Sequence, residues 1–400
     1  MSMERTRTIL LAAWGGNNGH VVHCARLGRT AVDHGWRAVV VHERNDVHAD
    51  LVREAGCESL TYRRDLTTDN DRWHCWHSEQ YVKRSVESDL LMLEDIRPDV
   101  IVHDVRPSLP VAAEIMQIPH AAICHCTYLP GFSFAGLGTS ELWLGGLNEF
   151  NRVLDAWGQP PISRDLREMF VRGLIFVPSM PEFDPVPAAL EGRTHFIGPL
   201  SGLRRRQPSG ARRGEGVFLY RTVGDNEALE EFCGAFADLD RQVLIATGSE
   251  ELRRKLAARV GHTGFDVRSM WNMSAVLDRV GVAVHHGGPG VTLGCLAGGV
   301  PAVALPGDSP ERQLYGTTLE SLGLGASLSA EPSLDTSWHA AVDTTQRMPS
   351  WYEVRRLVDS LGKSDEVWTR CRSWSERLVD MEPHASIAAM DALYRSGGST

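Results

Sequence analysis

The segment His285-His286-Gly287-Gly288-Pro289-Gly290 joins an apolar, β-branched run to a stretch of small residues with helical spacing. The run before it, Val280-Gly281-Val282-Ala283-Val284, reads as a buried parallel strand, short and apolar on both faces. The run after it, Val291 to Gly299, puts Leu293, Leu296 and Ala297 at helical spacing and stops at Gly298-Gly299 before Pro301. A strand that turns through glycines into a helix leaves the first helical amides without carbonyl partners, and those amides together with the macrodipole attract an anion. Gly287, Gly288 and Gly290 would let the backbone approach a diphosphate unobstructed, while Pro289 suits a first helical position, where no N–H is needed. The two histidines add side-chain donors. An ordinary strand-turn-helix connection is the plainer alternative, so the meaning of the segment depends on its surroundings.

Those surroundings alternate between strand and helix. Upstream, Val217 to Arg221, Asn226 to Leu239, Val243 to Ala246, Glu250 to Val260 and Asp266 to Arg268 read as strand, helix, strand, helix and strand. Nearer the start, Thr8 to Trp14 is a strand, Val21 to His34 a helix and Ala38 to His42 a second buried strand, which makes a parallel β-α-β unit. Val100 to His103 is a further strand with Asp104 just beyond it, followed by a helix near Pro110 to Met116 and a strand at Ala121 to His125. Between these halves Leu203 to Gly216 is rich in Arg, Pro, Ser and Gly without periodicity and reads as an exposed linker. Residues 351 to 395 look wholly helical.

With 400 residues, 42% hydrophobic and 23% charged, the chain can bury two cores. A net charge of -10 argues against a nucleic-acid partner. No apolar run is long enough to span a membrane, the first residues are polar, and the eight cysteines are scattered like free thiols, which together predict a cytoplasmic protein. Basic residues are nearly all arginine, a hint of a GC-rich bacterial genome.

Two Rossmann-like halves with a phosphate turn in the second resemble the GT-B glycosyltransferases. The likeness is closer to the family 1 nucleotide-sugar-dependent enzymes of bacterial natural-product (antibiotic) pathways. His285 to Thr292, HHGGPGVT, is similar to that family's HHGGAGTT, and Leu293 to Pro301 to its LEALAAGVP. The likeness extends to Leu322-Gly323-Leu324-Gly325, and Phe176 to Ser179 with Phe196 to Leu200 resembles the family's end of the first domain. The resemblance implies two Rossmann-like domains with parallel sheets facing across a cleft. Their expected limits are 1–205 for acceptor binding, 206–216 for the linker and 217–375 for the nucleotide sugar. A C-terminal helix over 376–400 would pack back on the first domain.

It also implies roles. Gly19-His20 matches the family's base, with Asp104 as the carboxylate that orients the imidazole. His23, where relatives often carry proline, reads as a helix-face residue. His285, Gly287, Gly288, Gly290, Val291 and Thr292 would hold the donor diphosphate. Met270, Trp271 and Met273 fall in the segment that lies against the nucleotide base, although the proline usual there is missing. Glu311-Arg312 stands at the sugar-binding Asp/Glu-Gln pair, and Arg312 in place of glutamine adds a fork suited to a carboxylate or phosphate. Gln313 could take over the amide's role, with Asp308 a weaker substitute for Glu311. Trp73, Trp76, Tyr128, Phe132, Phe134 and Trp143 fall where the family's acceptor pocket varies, and suit an apolar acceptor as well as ordinary core packing.

No metal and no cofactor beyond the nucleotide sugar itself are expected. Asp69-Asn70-Asp71 has the spacing of a metal-dependent GT-A motif but reads as a turn, and Cys124-His125-Cys126 reads as core cysteines. The expected activity is inverting transfer of a sugar from a dTDP- or UDP-sugar to a hydroxyl of a small natural-product acceptor, by a monomer or homodimer. Two alternatives stay open: a sugar-nucleotide 2-epimerase of the same fold, and a non-catalytic relative that binds a ligand or activates a partner enzyme.

Overall fold

The computed structural model describes residues 6–14, 18–43, 46–62, 74–132, 141–200, 215–220, 231–232, 234–260, 264–307, 309–328 and 349–397. The chain forms two units, Met1–Leu200 with Met381–Thr400, and Ser201–Asp380. The segment expected to be the linker lies outside the described residues up to 214, and strand begins already at Gly216.

The first unit is built on a parallel sheet of β1 (Thr8–Ala13), β2 (Arg37–His42), β3 (Glu58–Thr61), β4 (Val100–Asp104), β5 (His120–Ile123), β6 (Leu174–Val177) and β7 (Thr194–Phe196). Its strand order is β3-β2-β1-β4-β5-β6-β7. Side chains alternate across a strand, so Ile9, Leu11 and Ala13 of β1 enter one core while Leu10 and Ala12 enter another on the opposite face. Both faces are therefore apolar, which is why these strands read as continuous hydrophobic runs. Ala389, Met390 and Leu393 of the last helix, Asp365–Ser396, join the first of those cores.

The second unit carries β8 (Gly216–Tyr220), β9 (Val243–Ala246), β10 (Phe265–Arg268), β11 (Val280–His285), β12 (Ala302–Ala304) and β13 (Gly325–Ser327). All pair in parallel, in the order β10-β9-β8-β11-β12-β13. In each sheet the order reverses once, between β1 and β4 and between β8 and β11. At such a switch the connecting segments leave in opposite directions and open a crevice at the carboxyl ends of the strands.

The stretch 351–395, expected to be wholly helical, forms two helices, Trp351–Lys363 and Asp365–Ser396. Ser364 breaks it in an extended conformation and accepts the amide of Val367 at 3.3 Å, a capping bond that helical periodicity does not reveal. Among the described residues no helix is long and apolar enough to cross a membrane.

Candidate active site

The phosphate turn has the local geometry its residues dictate. β11 ends at His285, Gly287 takes φ 76°, Gly288 stands extended at the N-cap, and Pro289 opens the helix Pro289–Ala297. Pro289 has no N–H, and the amides of Gly290 and Val291 belong to a first turn where no helical carbonyl can meet them. A Cβ on Gly290 would find no atom within 4 Å, so the ground before these amides is open on the protein side. The Gly287 amide donates to His285 Nδ1 at 3.0 Å, which leaves the imidazole proton on Nε2. That Nε2 is fully buried and has no hydrogen-bond partner among the described residues. Burial, then the neighbouring His286, push the His285 pKa down to about 3, so the ring stays a neutral donor. Thr292 behaves otherwise than the resemblance implies. It is fully buried and spends its hydroxyl proton on the Gly288 carbonyl at 2.9 Å, tying the turn together from behind.

At the switch point of the first sheet, the helix Asn18–Asp33 follows β1, and Asp104 ends β4 beside Ala13. His20 Nδ1 lies 2.7 Å from Asp104 Oδ1, and His23 Nδ1 lies 2.9 Å from Oδ2. An ionised carboxylate can only accept, so both Nδ1 atoms carry the protons that bond it, and Nε2 bears a lone pair in whichever ring is neutral. The Asp104 side chain is 3% exposed, against 18% for His20 and 13% for His23. Burial alone would raise this carboxyl, but the charges and hydrogen bonds of His20 and His23 hold it well below the usual carboxylate range.

His23 is thus more than a helix-face residue. Its spacing of three from His20 puts both rings on one side of the helix, a signal present in the sequence. Beside it, His125 lies with its ring centroid 5.8 Å from that of His23 and its Nδ1 2.9 Å from the buried Asp184. Asp184 also accepts the Cys126 amide. This second His–Asp pair joins residues 59 apart, which no local pattern announces. Cys124 and Cys126 are buried and not joined in a disulfide.

No family model matches the chain. It is 26% identical over 366 residues to the NDP-glycosyltransferase YjiC of Bacillus licheniformis, covering 86% of this chain and 90% of that protein. The solved glycosyltransferase of kitacinnamycin superposes with a TM-score of 0.71 at 21% identity, over 98% of this chain and 99% of that one. SsfS6 of Streptomyces sp. SF2575, solved with thymidine diphosphate, gives 0.62 at 18% identity over 97% and 99%. The chain is a glycosyltransferase with the GT-B fold.

In this glycosyltransferase the segment expected at the nucleotide base follows β10. The Trp271 indole is anchored by a hydrogen bond from Nε1 to the Ile245 carbonyl at 2.9 Å, and the Arg268 guanidinium lies 3.8 Å from its ring centre. Met270 is 58% exposed, while Met273 is half-buried and its Cε packs toward Gly294 of the phosphate helix. Asn272 caps the helix Met273–Leu277, accepting the Ser274 and Ala275 amides.

The helix Pro310–Ser321 carries Glu311, Arg312 and Gln313, and sets Arg312 against Gly287 of the phosphate turn. Gln313 is buried and donates one of its two amide N–H groups to the Gly307 carbonyl at 2.8 Å, a bond that fixes the loop. Asp308 lies outside the described residues, as do Trp73, Phe134 and the Asp69-Asn70-Asp71 run. Trp76 and Trp143 are corrected from pocket wall to core, at 0% and 1% exposure. Trp76 packs on Trp14, Tyr81 and Phe150, and Trp143 on Phe170, because rings of this size contribute most when sealed from water. Tyr128 and Phe132 remain half-buried.

Proposed function

We propose that the enzyme transfers a sugar, with inversion and without a metal ion, from a dTDP- or UDP-sugar to a hydroxyl of a small, apolar natural-product acceptor. The observation that carries this reading is the His20–Asp104 pair, an imidazole with Nδ1 committed to a buried carboxylate at 2.7 Å. His20 Nε2 takes the acceptor's proton as that oxygen attacks the anomeric carbon. The bond from that carbon to the terminal phosphate oxygen breaks, and its electron pair leaves with the nucleoside diphosphate. A single displacement of this kind inverts the anomeric centre. Asp104 keeps the base in the right tautomer and offsets the charge on the imidazolium that forms.

The growing charge on the leaving diphosphate is met by the Gly290 and Val291 amides and by His285 Nε2–H, donors fixed before the substrate arrives. Fixed donors do the work a cation would otherwise do, so turnover is expected to survive EDTA. The half-buried faces of Tyr128 and Phe132 favour an apolar acceptor.

The test is His20→Ala assayed with donor and acceptor, together with NMR of the product's anomeric proton. The expected result is a loss of about 10²- to 10⁴-fold in kcat, the usual contribution of a positioned base, with an inverted linkage from the wild type. Near-wild-type turnover by the variant, or a retained anomeric configuration, refutes the mechanism.

A further inference from the structure

Arg312 packs directly on the phosphate turn. Its carbonyl oxygen lies 3.0 Å, and its Cβ 3.5 Å, from the point that a Cβ on Gly287 would occupy. Its half-buried side chain is close enough to Tyr220 for each charge to perturb the other. Tyr220 ends β8 as the register partner of His285, and its ring centre is 5.4 Å from that of His286, which covers Gly288. Arg312, Tyr220, His286 and the glycine turn therefore form one cluster at the switch point of the second sheet.

Among the described residues no group neutralises the Arg312 guanidinium. Other buried arginines are neutralised: Arg106 forks onto Asp89, and Arg167 onto Asp165. Arg312 makes no hydrogen bond and no ion pair among the described residues, and the neighbouring Glu311 charge raises its pKa electrostatically. Burial without a counter-ion is costly, which is why desolvation lowers the Arg312 pKa, and an arrangement of this kind is sustained where a ligand supplies the missing charge. The buried, unpartnered His285 Nε2–H in the same turn points to the same absent acceptor.

We propose that Arg312 binds an oxyanion of the donor beyond the phosphate held at the helix start, with its planar fork taking two oxygens at once. This rests on the reading of the turn as the donor site. Two donor groups carry that chemistry: the terminal phosphate, whose charge grows as the sugar leaves, and a carboxylate on the sugar itself.

The experiment is calorimetric titration of wild type, Arg312→Gln and Arg312→Lys with uridine and thymidine mono- and diphosphates, UDP-glucose and UDP-glucuronate. If the source is the terminal phosphate, Arg312→Gln weakens diphosphates at least tenfold, leaves monophosphates unchanged, and is partly rescued by Arg312→Lys. If it is a sugar carboxylate, only UDP-glucuronate weakens tenfold or more. The melting temperature of Arg312→Gln should match or exceed wild type, because an unpaired charge has been removed. Unchanged affinity for every probe in a wild-type-binding background overturns the proposal, as does a large fall in melting temperature, which would mean a structural partner. Failure of the wild type to bind any diphosphate overturns the donor-site reading itself.

Discussion

Gly290→Ala separates folding from binding at the phosphate turn. Gly290 is an exposed residue of the first turn of Pro289–Ala297, has no positive φ, and a Cβ there meets no atom within 4 Å. The folded protein therefore loses nothing, and alanine in a helix gains up to about 0.5–1 kcal/mol over glycine. For a unit of this size that is a rise in Tm of at most about 2–4 °C. Binding should respond in the opposite sense. A helical Cα–Cβ bond tilts toward the N-terminus, so the methyl enters the space where a phosphate oxygen must come to about 2.9 Å from the Gly290 and Val291 amides. Overpacking of that kind costs about 1–3 kcal/mol, or roughly 5- to 150-fold in Kd. Calorimetry with TDP and UDP, and a thermal melt of the same sample, read both effects. Diphosphate affinity within twofold of wild type in an intact variant would refute the turn as the phosphate site. Gly287→Ala is the poorer probe, since φ 76° alone costs a side chain about 1–2 kcal/mol and confounds binding with strain.

Asp104→Asn keeps the size of the side chain but supplies one acceptor and one donor where two Nδ1–H groups converge. One imidazole must then take the other tautomer, and kcat should fall about 10²- to 10⁴-fold with KM little changed; steady-state kinetics showing less than a tenfold loss would count against the pair. Stability should fall as the medium turns acid. The folded pKa of His285 is about 3 against an ordinary 6.5, so between those values the unfolded chain binds the extra proton. Its contribution is fully present above pH 6.5 and lost below it by up to about 1.4 kcal/mol per pH unit. Denaturant titrations from pH 4 to 8 should give a shallower slope for His285→Gln, and an unchanged slope contradicts the burial argument.

The fold was legible because its signals are local. Short apolar runs divided by helical periods specify parallel sheets, and Val280 to Pro301 carries strand, turn and helix within one stretch of chain. Aromatic residues misled for a related reason. Trp76 and Trp143 look alike as core or as pocket wall, since burial depends on neighbours that sequence does not reveal. The break at Ser364 was hidden because a single capping hydroxyl outweighs an unbroken helical pattern.

By itself the sequence determined the backbone chemistry of the phosphate turn: which residues lack side chains, which lacks an N–H, and where a helix must begin. Beyond the His20–Asp104 pair that the resemblance implies, the tertiary structure decided which charges meet. Asp104 faces His20 and His23, 84 and 81 residues away, and His125 faces Asp184, because strand order brings the ends of β1, β4 and β5 together. The same ordering sets Tyr220 beside His285, and the packing of the helix Pro310–Ser321 sets Arg312 on the turn without a counter-ion among the described residues. Such pairings follow from the path of the chain between strands, which adjacent residues do not encode.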